Sequence, residues 1–263
     1  GGRHIEFQVL GDRYGQVIHL GERECSTQRN NQKVIEEAPS PGVSEEQRRE
    51  LGARICALLS EIGYVGAGTI ELLRAPTGEL FFMEMNTRLD VEHPVTEMVT
   101  GIDLVEWQIR LAAGERLSLR QEDIHMSGHS IECRLNAEDP LQNFRPAPGE
   151  VSSFIFPEEW RYNLSGPVRV DTHVRSGYKV PPLYDSMLGK LIVHGQSREE
   201  AISAAIEALG MFHIEGVPNT VELHKYLLHS AAFRSGQYST PQMSQVMASF
   251  MAENTSGTDK GES

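Results

Sequence analysis

The sequence lacks the features that mark membrane or extracellular proteins. Its 263 residues contain only three cysteines, Cys25, Cys56 and Cys133, which are too few and too far apart for a disulfide framework or a zinc knuckle. No apolar run approaches the roughly 20 residues needed to span a bilayer, and the opening residues GGRHIEFQVLGD do not form a signal peptide. We therefore expect a cytoplasmic protein with reduced thiols.

Positive charge is also scarce. Lys and Arg number 24 against 37 Asp and Glu, a net charge of −13, and no basic cluster offsets it. Because nucleic-acid binding depends on neutralising phosphates, we do not expect a nucleic-acid partner. Anionic substrates remain compatible with this surface if local basic groups receive them.

Short hairpins followed by helices make up most of the pattern. One predicted hairpin turns at residues 12–15, and a second joins residues 68–74 to 79–86. Residues 36–43, EEAPSPGV, predict a loop because they are rich in proline and polar residues. Hairpins followed by helices favour an α+β architecture, with antiparallel sheets that carry helices on one face.

Helix starts are indicated by capping residues. Ser44 with Gln47 forms a predicted capping box, and Ser197 with Glu200 indicates the start of a helix over residues 198–210. The helix after Ser44 is expected to bury Leu51, Ile55, Leu58 and Ile62. Further helices are predicted after Asp103 and near residues 220–229 and 241–251.

A polar stretch without periodicity, residues 114–127, is the predicted domain boundary. It separates residues 1–113 from residues 128–250, and the polar residues 251–263 predict a disordered tail. Because the chain does not begin with methionine, we expect it to be a fragment of a longer protein.

The segment FFMEMNTRLDVEHP carries the strongest chemical signal. Strand alternation places Glu84, Asn86 and Arg88 on one face, and Glu71 of the preceding strand can lie beside Glu84. Two carboxylates and an amide oxygen suit Mg²⁺. A polar face on a half-exposed hairpin would show the same pattern.

A second segment, ECSTQRNNQKVIEE, places Lys33 among amide side chains near the end of a strand. A lysine at such a position can meet a phosphate as a point charge. Taken alone, the same pattern is also typical of a solvent-facing loop.

Six segments together resemble biotin carboxylase, in that family's order. They are RHIEFQVL, GERECSTQRNNQKVIEEAPSP, GYVGAGTIELL, FFMEMNTRLDVEHPVTEMVTGIDLVEWQ, GHSIECRLNAEDP and VPPLYDSMLGKLIVHG. The spacing EMNTR-x-x-VEHPVTE distinguishes biotin carboxylase from other ATP-grasp proteins. The resemblance implies the C-terminal half of an ATP-grasp domain over residues 1–113 and the biotin carboxylase C-terminal domain over residues 128–250.

The resemblance implies an ATP-dependent ligase. In that family, MgATP (or the Mn²⁺ form) phosphorylates bicarbonate to carboxyphosphate, and N1 of carrier-bound biotin captures the CO₂ released from it. The matching catalytic positions are Lys33 near the γ-phosphate and bicarbonate, Arg88 on bicarbonate, Glu92 as general base and Arg134 beside the biotin enolate. The metal positions are Glu71, Glu84 and Asn86. Positions for binding nucleotide or bicarbonate are His4, Gln28, Asn31, Leu73, Asp90 and Val91.

One departure concerns Asp90, which stands where the family usually has Gln. A carboxylate 4 Å from a bound anion opposes it by about 4 kcal/mol at an effective dielectric near 20. Two alternatives stand beside biotin carboxylase: another ATP-grasp ligase, which would share Glu71, Glu84 and Asn86, and an assembly homologue whose site is impaired by Asp90.

The resemblance also implies partners. They are a biotin carboxyl carrier protein, carboxyltransferase subunits and a second copy of the chain in a homodimer. No carrier motif of the Met-Lys-Met type follows residue 245, which indicates a separate subunit. The commonest final acceptor for such a subunit is acetyl-CoA, and this acceptor implies a role in fatty acid biosynthesis. The fragment alone is expected to be inactive.

Overall fold

A computed structural model describes residues 1–255 as fourteen strands, seven α-helices and three short 3₁₀ turns. The strands are β1 (Arg3–Gly11), β2 (Val17–Arg29), β3 (Gln32–Ala38), β4 (Gly66–Arg74), β5 (Leu80–Asn86), β6 (His129–Asn136), β7 (Glu138–Asp139), β8 (Arg145–Pro146), β9 (Gly149–Val151), β10 (Ser153–Ile155), β11 (Val168–Asp171), β12 (Tyr178–Val180), β13 (Met187–Gly195) and β14 (His213–Glu215). The helices are α1 (Glu45–Glu61), α2 (His93–Thr100), α3 (Leu104–Ala112), α4 (Arg198–Gly210), α5 (Val221–His229), α6 (Ala231–Arg234) and α7 (Thr240–Thr255).

One eight-stranded sheet organises the described residues. Its strand order is β11-β13-β6-β3-β2-β1-β4-β5, and every neighbouring pair is antiparallel. Both predicted hairpins are confirmed, and at the first turn the Asp12 carboxylate accepts the backbone N–H groups of Tyr14 and Gln16. The α+β class is confirmed.

Helices cover both faces of this sheet, so the expectation of helices on one face was wrong. On β1, Phe7 packs toward α1 with Leu59, whereas Leu10 packs toward α3 with Leu104. The cluster that contains α4 to α7 lies over β6 and β13, and α2 packs on the opposite face through Val95. The reason is that the central strands carry apolar residues at both odd and even positions, so apolar side chains point to both faces of the sheet.

Residues 36–38 belong to the central strand β3, which corrects the predicted loop over residues 36–43. Glu36 and Glu37 are both fully buried. Glu36 accepts a hydrogen bond from Arg134, and Glu37 accepts from Arg198. Buried carboxylates are tolerated when they are paired in this way, and these partners come from distant parts of the chain.

Helix α1 begins with the predicted capping box, in which Ser44 and Gln47 exchange hydrogen bonds. Its predicted inner face was wrong in part, because Leu58 and Ile62 are 58% and 65% exposed. Leu59 is buried instead. The helix is rotated relative to the prediction because Gly52 allows the ring of His19 to lie against the backbone, where a Cβ would be 2.3 Å from its Nε2.

The predicted caps of α3 and α4 are confirmed, since Asp103 accepts from the N–H of Glu106 and Ser197 from the N–H of Glu200. Residues 114–127 lie against the first hairpin, where Gln121 hydrogen-bonds to the backbone of His19 in both directions. The main sheet continues across this predicted boundary through the pairing of β3 with β6. The division into two domains therefore stays a prediction.

The predicted tail begins too early, because α7 continues to Thr255. Met243, Met247 and Phe250 of this helix are buried against the α4–α7 cluster, and this packing supports the helix beyond residue 251. The rest of the predicted tail, residues 256–263, lies outside the described residues. Within residues 1–255, no helix has the length and apolar character required to cross a membrane.

Candidate active site

A polar cleft of about 250 Å³ collects most of the predicted site residues. Its walls come from β3, β4, β5, β6 and the turn between β5 and α2. Nine of the predicted residues line it: Asn31, Lys33, Glu71, Asn86, Arg88, Asp90, Val91, Glu92 and Arg134. Four further residues line it as well: Gln32, Asn136, Asp185 and Met187.

Four predicted residues do not line the cleft. His4 lies immediately behind it, with Nε2 3.0 Å from Glu71 Oε2, and Gln28 Nε2 is 2.7 Å from His4 Nδ1. Glu84 is exposed on β5, although it is the direct cross-strand partner of Glu71. Leu73 is 43% exposed on β4. The structure therefore brings His4 and Gln28 to the site's edge but leaves the side chain of Leu73 outside it.

Lys33 is surrounded by carboxylates. Its Nζ lies 2.5 Å from Glu92 Oε1 and 3.4 Å from Glu71 Oε1, and it also contacts Glu6 Oε1. Burial disfavours the charged form, but the neighbouring acidic groups, which are Cys25, Glu6 and Glu92, outweigh it and raise the pKa of Lys33. Lys33 is therefore a permanently positive group between the buried base and the predicted metal carboxylates.

Glu92 is the most buried carboxylate of the cleft, with 1% of its surface exposed. Its second oxygen accepts a 3.0 Å hydrogen bond from Arg134 Nη2. Burial raises the pKa of Glu92 to about 7. The carboxylates of Glu6 and Glu36 add to this rise, whereas Lys33 and Arg134 oppose it. A base whose pKa lies near neutral pH is suited to take a proton during catalysis.

Arg134 connects two carboxylates through one guanidinium. Its Nε donates to Glu36 Oε1 at 2.5 Å, and Nη2 reaches Glu92. Because β6 pairs with β3, this arginine lies beside Lys33 although 101 positions separate them in the chain. The arrangement holds two cations against the base from neighbouring strands.

Arg88 and Asp90 occupy the turn after β5. Arg88 Nη1 contacts Asp90 Oδ1, and the Arg88 side chain is 66% exposed while that of Asp90 is 4% exposed. Asn86 Nδ2 donates to Asp90 Oδ2 at 3.3 Å and to Glu71 Oε1 at 2.7 Å. The predicted anion-binding arginine therefore has a carboxylate partner within its own turn.

The predicted magnesium residues suit the ion in their chemistry. Glu71 and Glu84 are in register on adjacent strands, and Asn86 follows on β5. Burial alone would raise the pKa of Glu71, but its hydrogen bond from His4 helps to lower that pKa, so the carboxylate stays ionised. Ionised carboxylates with an amide oxygen form the oxygen-ligand set that Mg²⁺ prefers.

Glu6 is a site residue that the sequence prediction missed. It is fully buried on β1 and contacts Lys33 through one oxygen and Arg23 Nη2 at 3.1 Å through the other. Arg23, which is also fully buried, reaches Thr96 of α2. The signal was present, because strand alternation places Glu6 on the same face of β1 as His4.

The comparisons with known proteins agree with this fold and this cleft. Residues 1–120 match the family model for the carbamoyl-phosphate synthase L chain ATP-binding domain, and residues 132–245 match that for the biotin carboxylase C-terminal domain. Together the two matches cover most of the chain.

Two curated relatives identify the family of this chain. The chain is 53% identical to the chloroplastic biotin carboxylase of Arabidopsis thaliana, across 90% of this chain and 43% of the relative. It is 54% identical to the biotin carboxylase of Allochromatium vinosum, across 89% of this chain and 50% of the relative. The chain therefore belongs to the biotin carboxylase family, and it spans about half the length of these curated relatives.

A solved structure gives the same result. The biotin carboxylase domain dimer of Hydrogenobacter thermophilus 2-oxoglutarate carboxylase, in complex with MgADP, ADP and bicarbonate, superposes with a TM-score of 0.89 at 46% identity. The match covers 94% of this chain and 54% of that chain.

Proposed function

We propose that the protein carrying this chain carboxylates biotin on a carrier protein, using bicarbonate and MgATP. The reaction transfers the γ-phosphoryl group of ATP to a bicarbonate oxygen, which forms carboxyphosphate and ADP. Carboxyphosphate then breaks down to CO₂ and phosphate, and N1 of biotin attacks the CO₂. The observation that carries the proposal is the buried Glu92, held between Lys33 and Arg134 in a cleft that also contains Arg88.

Glu92 takes the bicarbonate proton in this proposal. With its pKa near 7, a substantial fraction of the carboxylate is ionised at neutral pH, and loss of the bicarbonate proton makes that oxygen a better nucleophile toward phosphorus. Lys33 and Arg88 bring opposite charge to two anions that otherwise repel each other. Phosphoryl transfer depends mainly on such positioning and charge neutralisation.

Mg²⁺, held by Glu71, Glu84 and Asn86, would neutralise charge on the nucleotide phosphates. Lys33 extends that neutralisation toward the bicarbonate, because it lies 3.4 Å from Glu71 and 2.5 Å from Glu92. His4 orients Glu71 from behind, and Gln28 in turn contacts His4.

Arg134 stabilises the biotin enolate in the second step. The phosphate released from carboxyphosphate accepts the N1 proton, so Glu92 does not need to act twice. Arg134 remains positive because the Glu36 and Glu92 carboxylates raise its pKa against the opposing effect of burial. The same guanidinium can thus serve the base and the developing enolate.

The chain is proposed to act as part of a longer protein. Curated relatives of about twice its length match most of this chain. We expect the 263 residues alone to show weak or undetectable turnover, because they span only about half the length of the curated relatives that they match. Robust turnover by this chain alone would contradict that expectation.

Partners are proposed from the same chemistry. Biotin arrives on a carrier protein, a carboxyltransferase uses the product, and two copies form a homodimer like the domain dimer solved for the 2-oxoglutarate carboxylase. Structures similar to this chain come from enzymes described as carboxylases of 2-oxoglutarate, pyruvate and urea. Because these acceptors differ while the fold is shared, we propose that the transferase partner selects the acceptor, with acetyl-CoA the first to test. The cytoplasmic location stays a prediction.

The test is bicarbonate-dependent release of ADP by the complete protein, with and without free biotin. The proposal expects ADP release to require bicarbonate and to increase with biotin. Release without either dependence would favour another ATP-grasp ligase, and no release by a folded protein would favour the impaired assembly homologue. A variant with Glu50 of α1 changed to glutamine, an exposed site outside the cleft, serves as the matched control.

A further inference from the structure

The turn between β5 and α2 contains an ion pair between Arg88 and Asp90, which occupies one of the basic side chains of the cleft. Arg88 is the most exposed of the cleft's basic side chains, at 66%, and its contacts lie within its own turn. Nη1 donates to Asp90 and, at 3.2 Å, to the backbone carbonyl of Leu89. An anion that enters the cleft therefore meets a guanidinium whose Nη1 is already held by a carboxylate.

Neighbouring groups hold Asp90 in position. Its carboxylate is 4% exposed and accepts from Asn86 Nδ2 at 3.3 Å, and its backbone carbonyl lies 2.8 Å from His93 Nδ1. Contacts at both ends of the residue fix the carboxylate, whereas the exposed arginine is free to swing. The pair therefore opens by motion of Arg88.

The other charges that line the cleft also disfavour the binding of an anion. Three basic side chains line it against four carboxylates, so a small anion meets a wall that is not positive overall. Neutralising Asp90 would balance these charges and release Arg88 at the same time.

We propose that Asp90 sets the anion affinity of the cleft by competing with bicarbonate for the guanidinium of Arg88. This inference rests on the proposed function, and it assigns Asp90 as a specificity-determining residue of that site. The pair keeps the cleft weakly receptive to small oxyanions, and occupancy depends on a high bicarbonate concentration.

The test compares Asp90→Asn with the wild type in the complete protein. Asparagine keeps the size of the side chain and an oxygen for Asn86 but removes the charge. We expect the half-saturating bicarbonate concentration to fall about threefold to fivefold, the range for an ion pair whose arginine is exposed to solvent. The kcat should change less than about twofold, because the change affects binding in the ground state and transition state alike.

A double-mutant cycle separates competition from simple repulsion. In an Arg88→Gln background, binding is measured as the rise in melting temperature with bicarbonate, which does not require turnover. We expect Asp90→Asn to have a much smaller effect there, because only the charge of the cleft changes and no guanidinium remains to compete for. An equal gain of affinity with and without Arg88 would overturn the inference.

Two other outcomes are also decisive. If the half-saturating bicarbonate concentration of the Asp90→Asn protein is unchanged or higher, the inference is overturned while the proposed function stands. If bicarbonate neither stimulates ADP release nor raises the melting temperature in the wild type, both the proposed function and this inference fail. Glu50→Gln, which removes the same charge from an exposed site outside the cleft, should leave the bicarbonate dependence unchanged.

Discussion

Changing Glu36 to glutamine tests how the cleft controls the pKa of its base. Glu36 and Glu92 bind the same guanidinium, Glu36 at Arg134 Nε and Glu92 at Nη2. The Glu36 carboxylate contributes to the raised pKa of Glu92, which is about 7. Glutamine keeps an oxygen for Arg134 but removes the like charge, and it leaves the arginine's full charge to Glu92. Both effects lower the pKa of Glu92.

The expected change is about one pH unit, the lower end of the shifts that a nearby charge produces. For the wild type, a base with a pKa of about 7 is roughly one-tenth ionised at pH 6, whereas the variant with a pKa near 6 is about half ionised. At pH 6 the variant should therefore retain about fivefold more of its own maximal kcat/KM than the wild type retains.

The assay is the pH dependence of kcat/KM for bicarbonate-dependent ADP release by the complete protein. The acidic limb of the wild type should have its midpoint near pH 7, with activity rising as Glu92 loses its proton. The midpoint of Glu36→Gln should move to lower pH, while Glu50→Gln should match the wild type. A midpoint that stays near 7 or moves upward would refute this account of the base.

Three further predictions concern activity and stability. Glu92→Gln should reduce kcat by about a hundredfold to ten-thousandfold, since it removes a general base, and near-normal turnover would contradict its role. Glu37 accepts from His129, Arg198 and Tyr238, so Glu37→Leu should lower the unfolding free energy in urea by about 3 kcal/mol or more, and a smaller loss would contradict the importance of this cluster. Its hydrogen bond from His129 and the charge of Arg198 outweigh burial and lower the pKa of Glu37 to about 2, so its contribution to stability should persist above pH 4.5 and disappear as pH falls through about 2. Ser44→Ala should cost about 1 kcal/mol in the same urea assay through loss of the α1 cap, and an unchanged midpoint would contradict the capping box.

Local signals in the sequence were sufficient for much of the fold. The caps at Ser44 and Ser197 depend on residues three positions apart, and the structure has both. The hairpin that aligns Glu71 with Glu84 depends on alternation and a short turn, and it too is present. Such features need no knowledge of distant partners.

Long-range pairing explains what local signals missed. Glu36 and Glu37 look like loop residues until Arg134 and Arg198 are brought beside them by the sheet and α4. The face of α1 was wrong for a similar reason, because the contact between Gly52 and His19 sets its rotation. Neither partner can be identified from periodicity within one element.

For the candidate site, too, some residues could be predicted from the sequence and others could not. Motif and resemblance identified nine of the thirteen residues that line the cleft, including Lys33, Glu92 and Arg134, which lie far apart in the chain. They did not identify Glu6, whose importance follows from its simultaneous contacts with Lys33 and Arg23. The ion pair between Asp90 and Arg88 likewise depends on the conformation of the turn, since spacing alone indicates proximity but not pairing.

The most direct test of the central claim follows labelled carbon from bicarbonate into free biotin, with the complete protein, MgATP and the Glu92→Gln variant in parallel. The account predicts ATP-dependent label in biotin for the wild type and almost none for the variant. Hydrolysis of ATP by the wild type without any label in biotin would contradict the claim that this cleft carboxylates biotin.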